Sequence, residues 1–535
     1  MGLVAARWRP LHRVPAFGRD CAPGYLSRMV EIKRILVANR GEIAVRIIRA
    51  CRDLGIEAVA VYSDADREAL HVRYASRAYR LGPAPAAESY LRIDRLLEVA
   101  GESGVDAVHP GYGFLAENAD FARAVIDAGL TFIGPSPEVM ESVGDKNRAR
   151  QIAVAAGAPT VPGSPEPVDD AAAASAIAAK LGYPVMLKAV AGGGGKGMRR
   201  VDDPADIESS LRSASSEASS AFGDGRVYLE KAILNPRHVE IQILCDEHGR
   251  RIHLGERECS LQRRHQKVVE ESPSPVLSDE LRERMGTAAL AIAEEAGYTN
   301  AGTVEFLLDE GNDFYFIEVN ARLQVEHAVT EMVTGIDLVA AQIAMAEGKP
   351  LPWEQKDVRL RGAAIECRIY AEDPANGFSP CPGLVEGLRV PGGPGIRDDS
   401  ALYEGYEVPI YYDSLIAKLV AWGPDRDTAL ARMRRALQEY KVVGIATTIP
   451  LFQRIIDDPA FIVGDFDTGY LDELLQGGVL GPDHDRHDEI GDVAALAAAL
   501  HTFLREEARA FEIRNGASSA WKTAGRASNL RHFSR

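Results

Sequence analysis

The sequence predicts a multidomain α/β and α+β protein that opens with a doubly wound parallel sheet. Three observations carry this. Short apolar strands alternate with helical stripes between residues 35 and 133. A strand with a lysine in it, Val185–Ala189, runs straight into a glycine tract at 192–197. Two aromatic-rich strands, 302–308 and Phe314–Asn320, place two glutamates where they can face each other across a hairpin.

With 535 residues the chain suggests about three domains. A net charge of −17 argues against bulk nucleic-acid binding. No apolar run reaches about 18 residues, so no membrane span is expected. The six cysteines form no C-x-x-C pair, which argues against a disulfide framework or a zinc site and fits a reducing, cytoplasmic compartment. Residues 1–29 are expected to be a leader, disordered or not translated. They hold Arg7, Arg9, Arg13, Arg19 and Arg28 but lack the amphipathic, Ser-rich character of a transit peptide, which would otherwise point to an organelle matrix. Residues 477–535 read as a linker, one helix carrying Leu496, Leu500, Leu504 and Phe511, and a basic tail.

Residues 35–38 form the first strand. Ile43, Ile47, Ile48, Cys51 and Leu54 then recur at helical spacing, and Gly55 closes the helix. Residues 58–61, 105–108 and 131–133 are the next strands. The first turn, Asn39-Arg40-Gly41-Glu42, lacks the glycine fingerprint of dinucleotide binders. His109-Pro-Gly-Tyr112-Gly-Phe lies at the carboxyl end of a strand, where ligands sit in such sheets.

In the middle block the glycine tract lets backbone amides approach phosphate oxygens without Cβ interference. It fails the dinucleotide context, because Pro204 and a β-like stretch follow. It fails the P-loop pattern, because no Ser or Thr follows Lys196. It reads as a phosphate lid, with Lys188 as a phosphate contact. If the hairpin loop is residues 310–313, Glu305 lies opposite Glu318, and two bare carboxylates there repel unless a hard divalent cation joins them. Asn320 shares that face. If the chain stays extended, Arg322, Gln324 and Glu326 share it too, and could hold a small anion and move a proton, with Glu326 as base and His327 structural.

Taken together the motifs resemble the ATP-grasp fold and, more closely, biotin carboxylase. Ala38-Asn-Arg-Gly-Glu-Ile, His109-Pro-Gly-Tyr-Gly-Phe-Leu, Gly144-Asp-Lys146 and Asn235-Pro-Arg-His238-Val-Glu240 carry the resemblance. So do Gln262-Arg-Arg-His-Gln-Lys-Val-Val-Glu-Glu271, Asn320-Ala-Arg-Leu-Gln-Val-Glu-His327, Glu366-Cys-Arg368-Ile and Ala371-Glu-Asp-Pro. The resemblance implies an N-terminal biotin carboxylase domain at 30–143. It implies an ATP-grasp domain at 144–349, its glycine-rich lid at about 160–234, and a C-terminal biotin carboxylase domain at 350–476. Lys146, Lys188, Gly193, Gly194, Gly195, Met198, Glu230, Lys231, Ile233, His238, Gln262, His265 and Leu307 would bind ATP. Glu305, Glu318 and Asn320 would hold two magnesium or manganese ions. Lys267, Arg322, Gln324, Val325 and Glu326 would cradle bicarbonate, and Tyr112 and Arg368 would meet biotin. Glu326, Arg322, Arg368 and Lys267 would be the catalytic set. Ala191 stands where many relatives have Gly and Lys196 where some have Arg, and both keep the lid rich in amides and basic.

The implied activity is ATP-dependent carboxylation of biotin with bicarbonate through carboxyphosphate, the first half-reaction of acetyl-CoA or another acyl-CoA carboxylase. No Ala-Met-Lys-Met occurs, so biotin is expected on a separate biotin carboxyl carrier protein, and the third partner would be a carboxyltransferase. The family implies a homodimer, with Arg46 near its interface. The alternatives are the biotin carboxylase component of a two-subunit pyruvate carboxylase, or another bicarbonate-using ATP-grasp ligase. A non-catalytic nucleotide-binding regulator is disfavoured by the complete catalytic set.

Overall fold

The computed structural model describes residues 29–164, 166–168, 170–190, 197–477, 500 and 502. Gly193, Gly194, Gly195 and Lys196 of the expected lid, the leader before Met29, and nearly all of the expected tail lie outside the described residues. Contacts divide the chain into residues 1–479 and 480–535, and the first unit carries the architecture.

Strands β1 (Arg34–Val37), β2 (Glu57–Ser63), β3 (Arg77–Gly82), β4 (Ala107–His109) and β5 (Thr131–Phe132) form a parallel sheet of order β3-β2-β1-β4-β5. Apolar residues on both faces of β1, with Ile35, Leu36 and Val37 fully buried, are what a sheet covered on two sides requires. The helix Gly41–Asp53 follows β1, its Ile43, Ile47, Ile48 and Cys51 buried, and Gly55 takes the expected left-handed conformation (φ 73°). Strand β3 escaped the sequence reading because Arg77, Tyr79 and Arg80 give it no apolar run.

Strands β6 (Val185–Ala189), β7 (Met198–Val201) and β8 (Val227–Lys231) make a separate three-stranded sheet of order β7-β6-β8. The helices Ala171–Leu181 and Ile207–Phe222 cover it through Ala174, Ala178, Leu211 and Ala214.

The largest sheet has eight strands. It contains β9 (Arg237–Cys245), β10 (Arg251–Arg263), β11 (Gln266–Ser272), β12 (Asn300–Leu308), β13 (Phe314–Asn320) and β14 (Ala363–Tyr370), in the order β13-β12-β9-β10-β11-β14, and it continues through the strands Leu415–Gly423 and Ile396–Ser400. Residues on both sides of position 350 therefore share one sheet. Its buried helix Leu338–Ala346 is short, and among the described residues no single helix is long and apolar enough to cross a membrane.

Candidate active site

One face of the large sheet gathers the chemistry. Register pairs Glu305 on β12 with both Glu240 on β9 and Glu318 on β13, and Leu307 with His238. The expected opposition of Glu305 and Glu318 holds, but by another route. The hairpin loop is residues 309–313, five rather than four, since Leu308 pairs with Phe314. Alone this would shift the register by one. A bulge that skips Ile317 restores it.

The centre of the site is the Lys267 ammonium on β11. It donates to Glu240 Oε2 at 2.6 Å, Glu305 Oε1 at 2.9 Å and Glu326 Oε1 at 2.8 Å. Arg368 on β14 holds the other Glu326 oxygen at 2.9 Å and reaches Glu270 Oε1 through Nε at 2.6 Å. Glu240 is also paired with the fully buried Arg257. Burial opposes charge on Glu326, yet Lys267 and Arg368 outweigh it and hold the carboxyl well below the usual range. Burial likewise opposes charge on Lys267, and Glu240, Glu305 and Glu326 raise its pKa. Burial pushes Glu270 up to about 7 against Arg368. The result is a buried carboxylate, ionised and doubly held, beside two cations.

His238 Nε2 lies 3.0 Å from Glu305 Oε2, and Gln262 Nε2 contacts His238 Nδ1 at 2.7 Å. Asn320 Nδ2 donates to Glu305 Oε1 at 2.9 Å. Glu318 has no ion pair among the described residues. Burial, then the facing Glu305, raise its pKa. Two opposed carboxyls with an amide alongside form an all-oxygen donor set suited to magnesium or manganese.

Beyond Asn320 the chain is not extended, as the shared-face argument required. It turns at 322–326 and enters the helix His327–Thr334. The grouping survives because the turn folds back on itself. Arg322 Nη1 donates to Gln324 Oε1 at 3.0 Å and Nη2 to Asn320 Oδ1 at 3.3 Å. Gln324 is buried and its Nε2 has no partner among the described residues, leaving a donor free for an anion. Val325 offers its carbonyl to Lys418 at 2.8 Å. His327 is buried, its Nδ1 contacting the Gln324 carbonyl, a structural role as expected.

The expected nucleotide residues fall in two places. His238, Gln262 and Leu307 sit on the large sheet beside Glu305, and Lys146 opens the helix Lys146–Ala155, near enough to lower the pKa of Glu318. Lys188, Met198, Glu230 and Lys231 lie on the small sheet, with Lys188 paired to Met198. Lys188 Nζ meets Glu230 Oε2 at 2.6 Å, and Arg150 holds the other oxygen at 2.8 Å. The Lys231 amine is committed to the Gly182 and Tyr183 carbonyls, at 2.9 and 3.1 Å, and its backbone N–H donates to the Pro162 carbonyl at 2.8 Å. Ile233 is half-buried just past β8, and His265 is exposed in the β10–β11 turn with φ 67°. Tyr112 is half-buried, its hydroxyl unpartnered among the described residues, its carbonyl held by Asn39 at 2.8 Å.

Sequence reasoning missed Glu117, Arg257 and Lys418, and gave Glu240 no role. Glu117 anchors Arg322 at 2.9 Å and the Ala321 amide at 3.1 Å. Alternation along β9 placed Glu240 on the face of His238 and could have found it.

Comparison with known proteins bears on this geometry. The family model described as "Biotin carboxylase, N-terminal domain" matches residues 31–140, "Carbamoyl-phosphate synthase L chain, ATP binding domain" matches 145–354, and "Biotin carboxylase C-terminal domain" matches 366–473. The chain belongs to the biotin carboxylase family. As a biotin carboxylase it is an ATP-dependent ligase. It is 52% identical to "Biotin carboxylase" of Nostoc sp. over 445 residues, 83% of this chain and 100% of the relative. It is 50% identical to a pyruvate carboxylase subunit of Methanothermobacter thermautotrophicus over 484 residues, 88% and 98% of the two chains. A biotin carboxylase of Campylobacter jejuni, solved as a "beta-gamma-ATP Complex", superposes with TM-score 0.80 at 48% identity, covering 83% and 99% of the two chains. The biotin carboxylase domain dimer of the Hydrogenobacter thermophilus 2-oxoglutarate carboxylase, solved with MgADP, ADP and bicarbonate, gives TM-score 0.79 at 50% identity, covering 83% and 98%. In this biotin carboxylase the Lys267 cluster, the 322–326 turn and the opposed acids are in direct contact, Lys267 reaching Glu305 and Glu326 and Asn320 reaching Glu305.

Proposed function

We propose that this site carboxylates biotin in the following steps, with Glu326 as the base. The observation that carries the reading is the Glu326 carboxylate itself, ionised and held from both sides by Lys267 and Arg368. Glu305 and Glu318, with Asn320, would hold two magnesium or manganese ions, which supply charge neutralisation along the ATP phosphates. Lys146, Lys188 and His238 take the phosphate end, with Glu230, Lys231, Ile233 and Leu307 toward the base. The glycine lid with Met198 closes over ATP and keeps water away. Bicarbonate lies against Arg322, the free Gln324 amide, the Val325 backbone and Lys267. Glu326 takes its proton, and the oxygen attacks the γ-phosphate, releasing ADP and forming carboxyphosphate. This breaks into carbon dioxide and phosphate. The phosphate removes the biotin ureido proton, Arg368 stabilises the enolate-like oxygen, Tyr112 lines the biotin side, and carbon dioxide is captured on nitrogen.

The biotin acted on is carried by a separate protein, and the chain serves an acyl-CoA carboxylase, acetyl-CoA carboxylase of fatty acid biosynthesis first among them. Support comes from relatives named biotin carboxylase that this chain covers over 100% and 98% of their length. The relatives named for pyruvate carboxylase and 2-oxoglutarate carboxylase favour a second reading, a component of a keto-acid carboxylase. We also propose a homodimer, in line with the solved domain dimer. Arg46, expected near that interface, is buried against Glu331 at 2.9 Å and Asp337 at 2.7 Å. Light scattering of the purified chain tests the dimer. ADP release with magnesium, bicarbonate and free biotin, wild type beside Glu326→Gln, tests the reaction. Bicarbonate-dependent, biotin-stimulated cleavage that collapses in the variant is expected, and cleavage indifferent to biotin, free or on a carrier domain, would overturn it.

A further inference from the structure

We infer that Lys418 is a positioning residue for the bicarbonate and biotin end of the site, fixing the 322–326 turn and Tyr112 through one buried ammonium. The inference rests on the reaction proposed above.

Lys418 sits in the middle of the apolar strand Leu415–Gly423 and is fully buried. Its Nζ lies at three segments far apart in sequence. It donates to the Val325 carbonyl at 2.8 Å. It stands 3.4 Å from Glu42 Oε1 on the helix Gly41–Asp53. It lies 5.6 Å from the Tyr112 ring centroid, within cation–π range. Its register partners on the neighbouring strands are Arg368 and Asp399. Burying an ammonium is costly unless it is paired. Here the shorter contact goes to an uncharged carbonyl one residue before the base, and the ring beneath the ammonium belongs to the loop expected to meet biotin. Lys267 and Arg368 hold the Glu326 side chain, and Lys418 holds the backbone that carries it. The phosphate-end groups Lys146, Lys188 and His238 make no contact with it among the described residues.

The test uses the full chain and steady-state ADP release. Lys418→Met is made alone and with Glu42→Gln, so that the double variant leaves no unpaired charge at Glu42 and stands in if the single one does not fold. Removing a charge-assisted bond should raise KM for bicarbonate and for free biotin by about tenfold or more, while KM for ATP stays within about twofold. KM values that all rise together, or a lowered Tm with unchanged KM values, would overturn the inference, since both are what a merely structural lysine gives. Wild-type protein without bicarbonate-dependent, biotin-stimulated cleavage would overturn the functional reading beneath it, a failure visible before any variant is examined.

Discussion

Glu305 and Glu318 face each other across the β12–β13 hairpin, yet Lys267 Nζ and His238 Nε2 both contact Glu305, while Glu318 has no ion pair among the described residues. One carboxyl is drawn down by Lys267 and His238 against burial, and the other is pushed up by burial and its neighbour. A divalent cation held by the two, as proposed above, would relieve the second. Glu318→Gln should therefore raise the magnesium or manganese concentration for half-maximal ATP cleavage at least about tenfold. In metal-free buffer at pH 8 the same variant should melt higher than wild type, because a like charge is gone. Metal titration and thermal melting read the two effects separately.

Lys267 satisfies three buried carboxylates at once. Lys267→Met should destabilise the protein by about 3–5 kcal/mol at pH 8, since unpaired buried charges remain. The paired Glu305 and Glu326 have depressed pKa values in the wild type. Their contribution is present above the ordinary carboxylate pKa and is lost as pH falls through the folded values. In the variant burial reverses the shift, so the deficit should shrink from pH 8 to pH 5. Urea unfolding at the two pH values checks the sign.

Glu366 is fully buried, and neither carboxyl oxygen has a hydrogen-bond partner among the described residues. Burial raises it well above its ordinary 4.5, and Glu42 is pushed up to about 7. Such groups keep protons in the folded state that the unfolded chain has released, so stability falls as pH rises from about 4.5 through the folded values. Glu366→Gln is neutral throughout. It should melt above wild type at pH 8, match it near pH 4.5, and keep its kcat.

Glu117 orients Arg322 from outside the expected set. Because the Glu117 carboxylate is partly exposed, the effect is modest. Glu117→Gln should raise KM for bicarbonate about threefold and leave KM for ATP unchanged.

The site was legible where chemistry repeats every second residue on a strand. Glu318 and Asn320 were read from the pleat, His238 and Leu307 came from the family resemblance, and Glu240, two residues from His238 on the same face, was missed. Where the chain leaves the strand at Arg322, alternation lost its meaning, and the turn could not be told from an extended segment. The Glu305–Glu318 pairing was reached with a loop one residue too short, because a bulge leaves no mark in the sequence pattern. Lys188 was read from a lysine inside an apolar strand. Lys418 carries the same signal in Leu415–Gly423, but its partners, Glu42, Tyr112 and Val325, are distant in the chain. Strand β3 was missed because its outward residues are charged or aromatic.

Strand β11, which carries Lys267 and Glu270, pairs with β10 on one side and β14 on the other. A protein truncated near residue 350 would keep Lys267 but expose the apolar flank of β11 as a bare edge, a template for aggregation. Chimeras between relatives therefore have a natural boundary set. The small sheet β7-β6-β8 shares no ladder with the large sheet among the described residues, but residues 159–163 bridge the two, Thr160 to Phe316 and Gly163 to Glu230, so that segment must travel with it. Positions 237–423 must be exchanged together, because one continuous ladder joins the base's two cations across the middle of the chain.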